Sequence, residues 1–164
     1  MKKVYYTWQQ VEGAVLDIAR QMSAHDWKPD YIVGITRGGL VPANLLSQYT
    51  GIKMSSLDVS LRDGGDCVSN CSMAEDAYEG TKILVVDDIN DQGSTVAWIK
   101  KDWQASCLPG NTSIWDHVWG DNVRFAVLTH NLGSEFKDPD YYVWTVDKRD
   151  EDCWLVYPWE NFWL

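Results

Sequence analysis

"ILVVDDINDQGSTVAWI", residues 83–99, decides the fold. Its opening run of branched apolar residues has no polar face, which predicts a strand covered on both sides of a parallel sheet. The run ends in Asp87 and Asp88, then reaches Asp91, Gln92, Gly93, Ser94 and Thr95, where "STVAWIKKDWQ" reads as a helix. Three carboxylates, a glycine and two hydroxyls therefore fall at a strand–helix junction. In open α/β sheets that is where ligands bind.

A second such junction lies upstream. "DYIVGI", residues 30–35, is a short apolar strand that gives way to "TRGGLV" and a helix-like "PANLLSQYTG", with Pro42 near its first turn and Gly51 at its stop. The first helix is expected in "TWQQVEGAVLDIARQM", where Val11, Val15, Ile18, Ala19 and Met22 recur at helical spacing behind a Thr7 cap. Residues 53–61 alternate weakly and read as a strand, and residues 62–80, polar and glycine-bearing, read as a mobile loop. "NVRFAVLTH" and "YYVWTV" read as further strands before an aromatic tail, "CWLVYPWENFWL". Strands alternating with helices predict an α/β fold, one domain over residues 1–164, with a mostly parallel sheet flanked by helices.

The chain has 164 residues, 45% of them hydrophobic, and a formal net charge of −10, which suits a globular protein with a core of its own. Such a charge repels nucleic acid and anionic membranes, so neither is an expected partner. An anionic ligand needs a local device: a magnesium ion, a helix N-terminus or a placed arginine. The start does not read as a signal peptide, and no apolar run is long enough to span a bilayer. Cys67, Cys71, Cys107 and Cys153 lack zinc-like pairing and are expected as reduced thiols in a cytoplasmic protein.

Three motif readings fail. Gly34 and Gly39 have Walker spacing, but Leu40 stands where the lysine belongs. Neither junction contains the glycine pattern of dinucleotide-binding folds. An EF-hand beginning at Asp88 would need a glutamate where Ile99 stands.

The residues present fit a different ligand outline. Gln92, Gly93, Ser94 and Thr95, opening a helix, offer backbone N–H groups and hydroxyls to a phosphate dianion. Asp87 and Asp88 can accept hydrogen bonds from a vicinal diol or hold Mg²⁺. Phosphate on one side and diol on the other outline a ribose 5-phosphate, and Arg37 with Gly38 can approach a second phosphate group.

At this level the chain resembles the type I phosphoribosyltransferases. "VVDDINDQGST" matches their acidic-loop signature, with Gln92 where threonine is commoner, and "VGITRGGLVPANLL", "DYYV" and "CWLVYPW" follow in order. The resemblance runs nearly end to end and is closest to the bacterial enzymes acting on xanthine and guanine. It implies the type I fold with a small hood made by the chain ends. It also implies transfer of ribose 5-phosphate from phosphoribosyl pyrophosphate to a nucleobase, a 6-oxopurine (hypoxanthine, guanine or xanthine), with Mg²⁺ as cofactor.

Residue by residue, Gln92, Gly93, Ser94 and Thr95 would hold the 5′-phosphate and Asp87 and Asp88 the diol, with Asp88 also holding the metal. Arg37 and Gly38 would meet pyrophosphate, Asp91 would be the catalytic carboxylate, and His130, Trp154 and Leu155 would contact the base. Residues 62–80 would close over the site, and a homo-oligomer, dimer or tetramer, is expected. Two departures stand out: residues 101–121 look inserted, and His130 occupies the place of a lysine in the purine enzymes, which implies weak use of xanthine. Two other readings remain open on sequence: a non-catalytic nucleotide-binding regulator on the same fold, and a cation-binding module using the acidic loop alone.

Overall fold

The structure, a computed structural model, describes residues 1–59, 61, 67–107 and 112–160. Five parallel strands form the central sheet in the order β3 (Met54–Asp58), β2 (Tyr31–Thr36), β4 (Ile83–Asn90), β5 (Val123–Asn131), β6 (Trp144–Val146). Both faces of this sheet are covered. Leu84, Val86, Ala126 and Leu128 point into one core with α1 (Trp8–Ala24) and α2 (Leu40–Thr50). Their neighbours Ile83, Val85, Val123 and Phe125 point into a second core with α3 (Cys71–Tyr78) and α4 (Ser94–Ser106). Alternate residues burying in opposite directions is why these strands carry no polar face.

Local signals set the helix ends. Thr7 caps α1 in a capping box, its Oγ1 accepting from Gln10 N at 3.1 Å while Thr7 N donates to Gln10 Oε1 at 2.8 Å. Gly51 closes α2 in the left-handed region, φ 74°. The chain ends meet as expected of a hood: β1 (Lys2–Tyr5) pairs in parallel with β7 (Cys153–Val156), Lys3 opposite Trp154 and Val4 opposite Leu155. Beneath this ribbon, rings pack in series, with Tyr6 4.2 Å from Trp144 and 5.4 Å from Tyr157, and Tyr157 5.0 Å from Trp159 between centroids.

One expectation needs correction. The loop foreseen over 62–80 contains α3, capped by Asn70, whose side chain accepts from Met73 N at 2.9 Å. Met73, Ala74 and Ala77 are buried, and Asp76 accepts a hydrogen bond from Tyr31 Oη at 2.8 Å, so this part is tied to the core. Residues 62–66 lie outside the described residues, as do 161–164 of the aromatic tail. Described residues of 101–121 contribute to the second core. Their first residues extend α4, residues 108–111 lie outside the described set, and a 3-10 helix spans Thr112–His117. Trp103 is 0% exposed and Trp115 4%, and Trp119 stacks between Trp115 and Phe125 at 5.6 and 6.1 Å.

Truncating a buried tryptophan loses its transfer free energy and leaves a cavity. Trp103→Ala should therefore cost about 3 to 5 kcal/mol of stability by urea unfolding, with an unchanged denaturant slope. A cost below about 1 kcal/mol would mean that the inserted segment is not part of the core.

Candidate active site

The C-terminal ends of the five parallel strands share one edge of the sheet. The order of strands reverses between β2 and β4, the point at which such sheets leave a crevice. A cleft of about 520 Å³ opens there. Its wall from β2 contains Arg37 and Gly38; its wall from β4 and α4 contains Asp87, Asp88, Asp91, Gln92, Gly93, Ser94 and Thr95. Nine residues picked from two separate junctions thus line a single cavity. His130, Trp154 and Leu155 are not among its lining residues.

Glycine is required at both junctions. A Cβ on Gly38 would collide with the Asp88 carboxylate, and one on Gly39 with the Val86 carbonyl, so the β2 turn lies directly against the acidic strand tip. The Thr36–Arg37 peptide in this turn is cis. Gly93 caps α4 at φ 88°, and a Cβ there would lie 2.7 Å from Phe136 N. No side chain caps this helix, so its first N–H groups and the hydroxyls of Ser94 and Thr95 face the cleft, the arrangement that binds phosphate.

The acids are held by their own backbone and by neighbours. Asp87 Oδ1 accepts from Asp88 N at 2.9 Å, and Asp88 Oδ1 from Ile89 N at 2.8 Å. Asp91 Oδ1 lies 3.0 Å from Lys148 Nζ, while Asn131 Nδ2 donates to the Asp91 carbonyl at 2.8 Å. Behind the strand tip, the Tyr157 hydroxyl is bonded to Thr129 Oγ1 at 2.8 Å and reaches the Asp88 carbonyl at 3.1 Å; burial pushes its pKa well above the usual phenol value. Trp159 and Glu160, just beyond it, complete the rim. No group of three or more candidate metal ligands forms a cage among the described residues. Asp87 and Asp88 do offer hard oxygen donors, and Mg²⁺ commonly takes one or two carboxylates with the rest of its shell from phosphates and water. The donor set fits that ion.

The three base-contact candidates stand outside the lining of the cleft. His130 pairs with Asn90 across β4 and β5 and is 3% exposed. Its Nδ1 faces Asn90 Nδ2 at 3.1 Å, so Nδ1 accepts and the neutral ring carries its proton on Nε2. Asn90 is fixed in turn, accepting from Ser134 Oγ at 2.9 Å and donating to the Phe136 carbonyl at 2.7 Å. The register puts the imidazole in this buried network and not in the cleft. Leu155 is buried in the α1–α2 core, and Trp154, 43% exposed, stands beside Lys148, 5.9 Å from its Nζ. The sequence reading missed Phe136, Trp159 and Glu160 in the lining, and Lys148 and Asn131 on Asp91. Asn131, the last residue of β5, carried a usable signal, since the ends of neighbouring parallel strands share an edge. Lys148, in the charged run "DKRDED", carried none.

Burial lowers the His130 pKa from its ordinary 6.5. Below that value the unfolded chain binds a proton that the folded chain resists, so stability falls as pH drops. From about pH 7.5 to about pH 5.5, wild type should lose more stability than His130→Asn, which keeps an acceptor near Nδ1 without a titrating ring. Parallel losses in urea titrations would show that His130 is not held neutral.

Comparison with known proteins agrees with this geometry. The family model described as "phosphoribosyl transferase domain" matches residues 2–160. The xanthine-guanine phosphoribosyltransferase of Idiomarina loihiensis is 31% identical, over 97% of this chain and 88% of the relative. The hypoxanthine-guanine phosphoribosyltransferase of Schizosaccharomyces pombe is 22% identical, over 96% of this chain and 89% of its own. Among solved structures, a purine phosphoribosyltransferase from Pyrococcus horikoshii superposes with a TM-score of 0.69 at 26% identity, covering 100% of this chain and 97% of that one. With a phosphate turn, an acidic strand tip and a glycine-lined second turn meeting in one cleft, the chain belongs to the phosphoribosyltransferase family.

Proposed function

We propose that the protein transfers ribose 5-phosphate from phosphoribosyl pyrophosphate to a ring nitrogen of a purine base, a 6-oxopurine, with release of pyrophosphate. The observation that carries this reading is the convergence of both strand–helix junctions on one cleft. Each part has a task. Backbone N–H groups at the start of α4, with Ser94 and Thr95, hold the 5′-phosphate. Asp87 and Asp88 accept hydrogen bonds from the ribose diol, and Arg37 with the Gly38 backbone binds pyrophosphate. Asp88 would hold Mg²⁺, which would supply positive charge toward the departing pyrophosphate.

As the bond from C1′ to pyrophosphate loosens, the ribose takes on oxocarbenium character. The carboxylate of Asp91 stands ready to oppose that charge or to accept a proton from the incoming ring. Trp154 gives the ring a stacking face, while His130 and Leu155 support the base side from behind. The same reading takes residues 1–164 as one domain of a cytoplasmic homo-oligomer. No helix among the described residues is long and apolar enough to cross a membrane.

A panel of purine and pyrimidine bases with phosphoribosyl pyrophosphate and Mg²⁺ tests the reading through pyrophosphate release. Turnover is expected with at least one oxopurine and not with pyrimidines. Asp91→Asn should lower it at least about tenfold while moving the thermal midpoint by no more than a few degrees. Absence of pyrophosphate with every base, or an Asp91→Asn variant as fast as wild type, would overturn the assignment.

A further inference from the structure

Three polar side chains beneath the acidic tip are buried, and the reaction proposed above gives Asn90 and Ser134 no task. Asn90 is 4% exposed, His130 3% and Ser134 0%. Burying such groups costs stability unless each is bonded, and here each is. Asn90 Nδ2 donates to the Phe136 carbonyl at 2.7 Å and faces His130 Nδ1 at 3.1 Å, while its Oδ1 accepts from Ser134 Oγ at 2.9 Å. Ser134 Oγ accepts in turn from Phe136 N at 3.2 Å, and the Lys137 backbone bonds the imidazole. One amide at the end of β4 thus ties down Ser134, Phe136 and, through His130, Lys137.

The segment held in this way backs the phosphate turn. Glu135 N donates to the Gln92 carbonyl at 3.1 Å. In a planar trans peptide the C=O and N–H point in opposite directions, so the Gly93 N–H is turned away from Glu135. With the carbonyl tied to the segment, that N–H is left for a ligand in the cleft that Gln92 and Gly93 line. Glycine lets the two backbones touch: a Cβ at residue 93 would lie 2.7 Å from Phe136 N and 3.1 Å from Ser134 Oγ. A shift of residues 134–136 therefore moves the turn itself. Donors already fixed in place bind an oxyanion more tightly than donors that must first be ordered.

We propose that Asn90, held by His130 and Ser134, is the positioning residue of the phosphate turn: it fixes residues 134–136 on β4, so that Glu135 N holds the Gln92 carbonyl and the Gly93 N–H is set in place for the 5′-phosphate. This rests on the phosphoribosyltransferase reading above. His130 serves through its neutral ring, whose Nδ1 takes one Asn90 proton and so fixes which way the amide faces.

Calorimetric titration of inosine monophosphate, and of pyrophosphate with Mg²⁺, into wild type, Ser134→Ala, Asn90→Leu, His130→Leu and His130→Asn tests the proposal without depending on turnover. Ser134→Ala and Asn90→Leu should each weaken the nucleotide at least about tenfold, the scale of lost charged hydrogen bonds. Pyrophosphate, which meets the Arg37–Gly38 turn in this reading, should stay within about threefold of wild type. His130→Leu should share the loss, and His130→Asn, which keeps an acceptor near Nδ1, should restore most of it. Without ligand, amide exchange followed by NMR should quicken at Gly93 and Ser94 in Ser134→Ala and stay unchanged at Gly39. Where Asn90→Leu fails to fold, Ser134→Ala, which removes a single hydroxyl, decides the matter. A Ser134→Ala loss below about threefold overturns the proposal. Equal losses for nucleotide and pyrophosphate also overturn it, because the network would then only hold the cleft together. A wild type that binds no nucleotide overturns both this inference and the proposed reaction. Ser134-dependent nucleotide binding in a protein that turns over no base upholds the inference while removing the reaction.

Discussion

Three carboxylates crowded at the tip of a central strand are the constraint to which the rest of the cleft answers. Like charges brought together at the edge of a low-dielectric core repel, and the cost falls only if each acid is satisfied. Asp87 and Asp88 take backbone N–H groups one residue ahead of themselves, and Asp91 takes the ammonium of Lys148. The β2 turn then closes against this strand with two glycines, because a Cβ on Gly38 would meet the Asp88 carboxylate and one on Gly39 the Val86 carbonyl. An acidic cluster maintained in this way against an open cleft, in a protein of net charge −10, suits a cation better than a bare anion.

The scaffold keeps this tip in position through packing on both faces. From one side the ribbon of β1 and β7 brings Tyr157 beneath the tip, where its hydroxyl reaches the Asp88 carbonyl. From the other, residues 101–121 build a tryptophan layer that runs through Trp119 and Phe125 to Phe136, whose ring lines the cleft and whose N–H stands against Gly93. Lys100 covers this layer, its Nζ 4.9 Å from the Phe136 ring. The segment 134–136 closes over the phosphate turn, Glu135 N donating to the Gln92 carbonyl at 3.1 Å. Burial in the tryptophan layer is thus coupled by direct contact to the Gly93 turn that opens α4.

That the two strand–helix junctions line a cleft was legible in the sequence because each of their parts is local. An apolar strand, its acids and its glycine turn occupy consecutive residues, and their order fixes their place at a strand end. The surroundings of Asp91 were not legible, because they are assembled from the β5 end and the 147–149 turn, which sequence spacing does not bring together. His130 was assigned by position along the chain. The one-to-one register of β4 with β5 places it opposite Asn90 and inside. The helix α3 escaped notice because eight residues with three buried positions leave little periodicity within a polar stretch. Beyond the helix read through Gln104, residues 105–121 gave no period, and the burial of Trp103 and Trp115 became apparent only with the tertiary structure.

The central claim is that the acidic tip binds phosphoribosyl pyrophosphate through a divalent ion and not through protein charge alone. Titrating that ligand calorimetrically at millimolar Mg²⁺, and again with the metal chelated, tests this most directly. The account predicts that affinity falls by at least about thirtyfold without metal, on the order of 2 kcal/mol, and that Asp88→Asn in Mg²⁺ shows a loss of the same kind. Equal affinity with and without metal would contradict it.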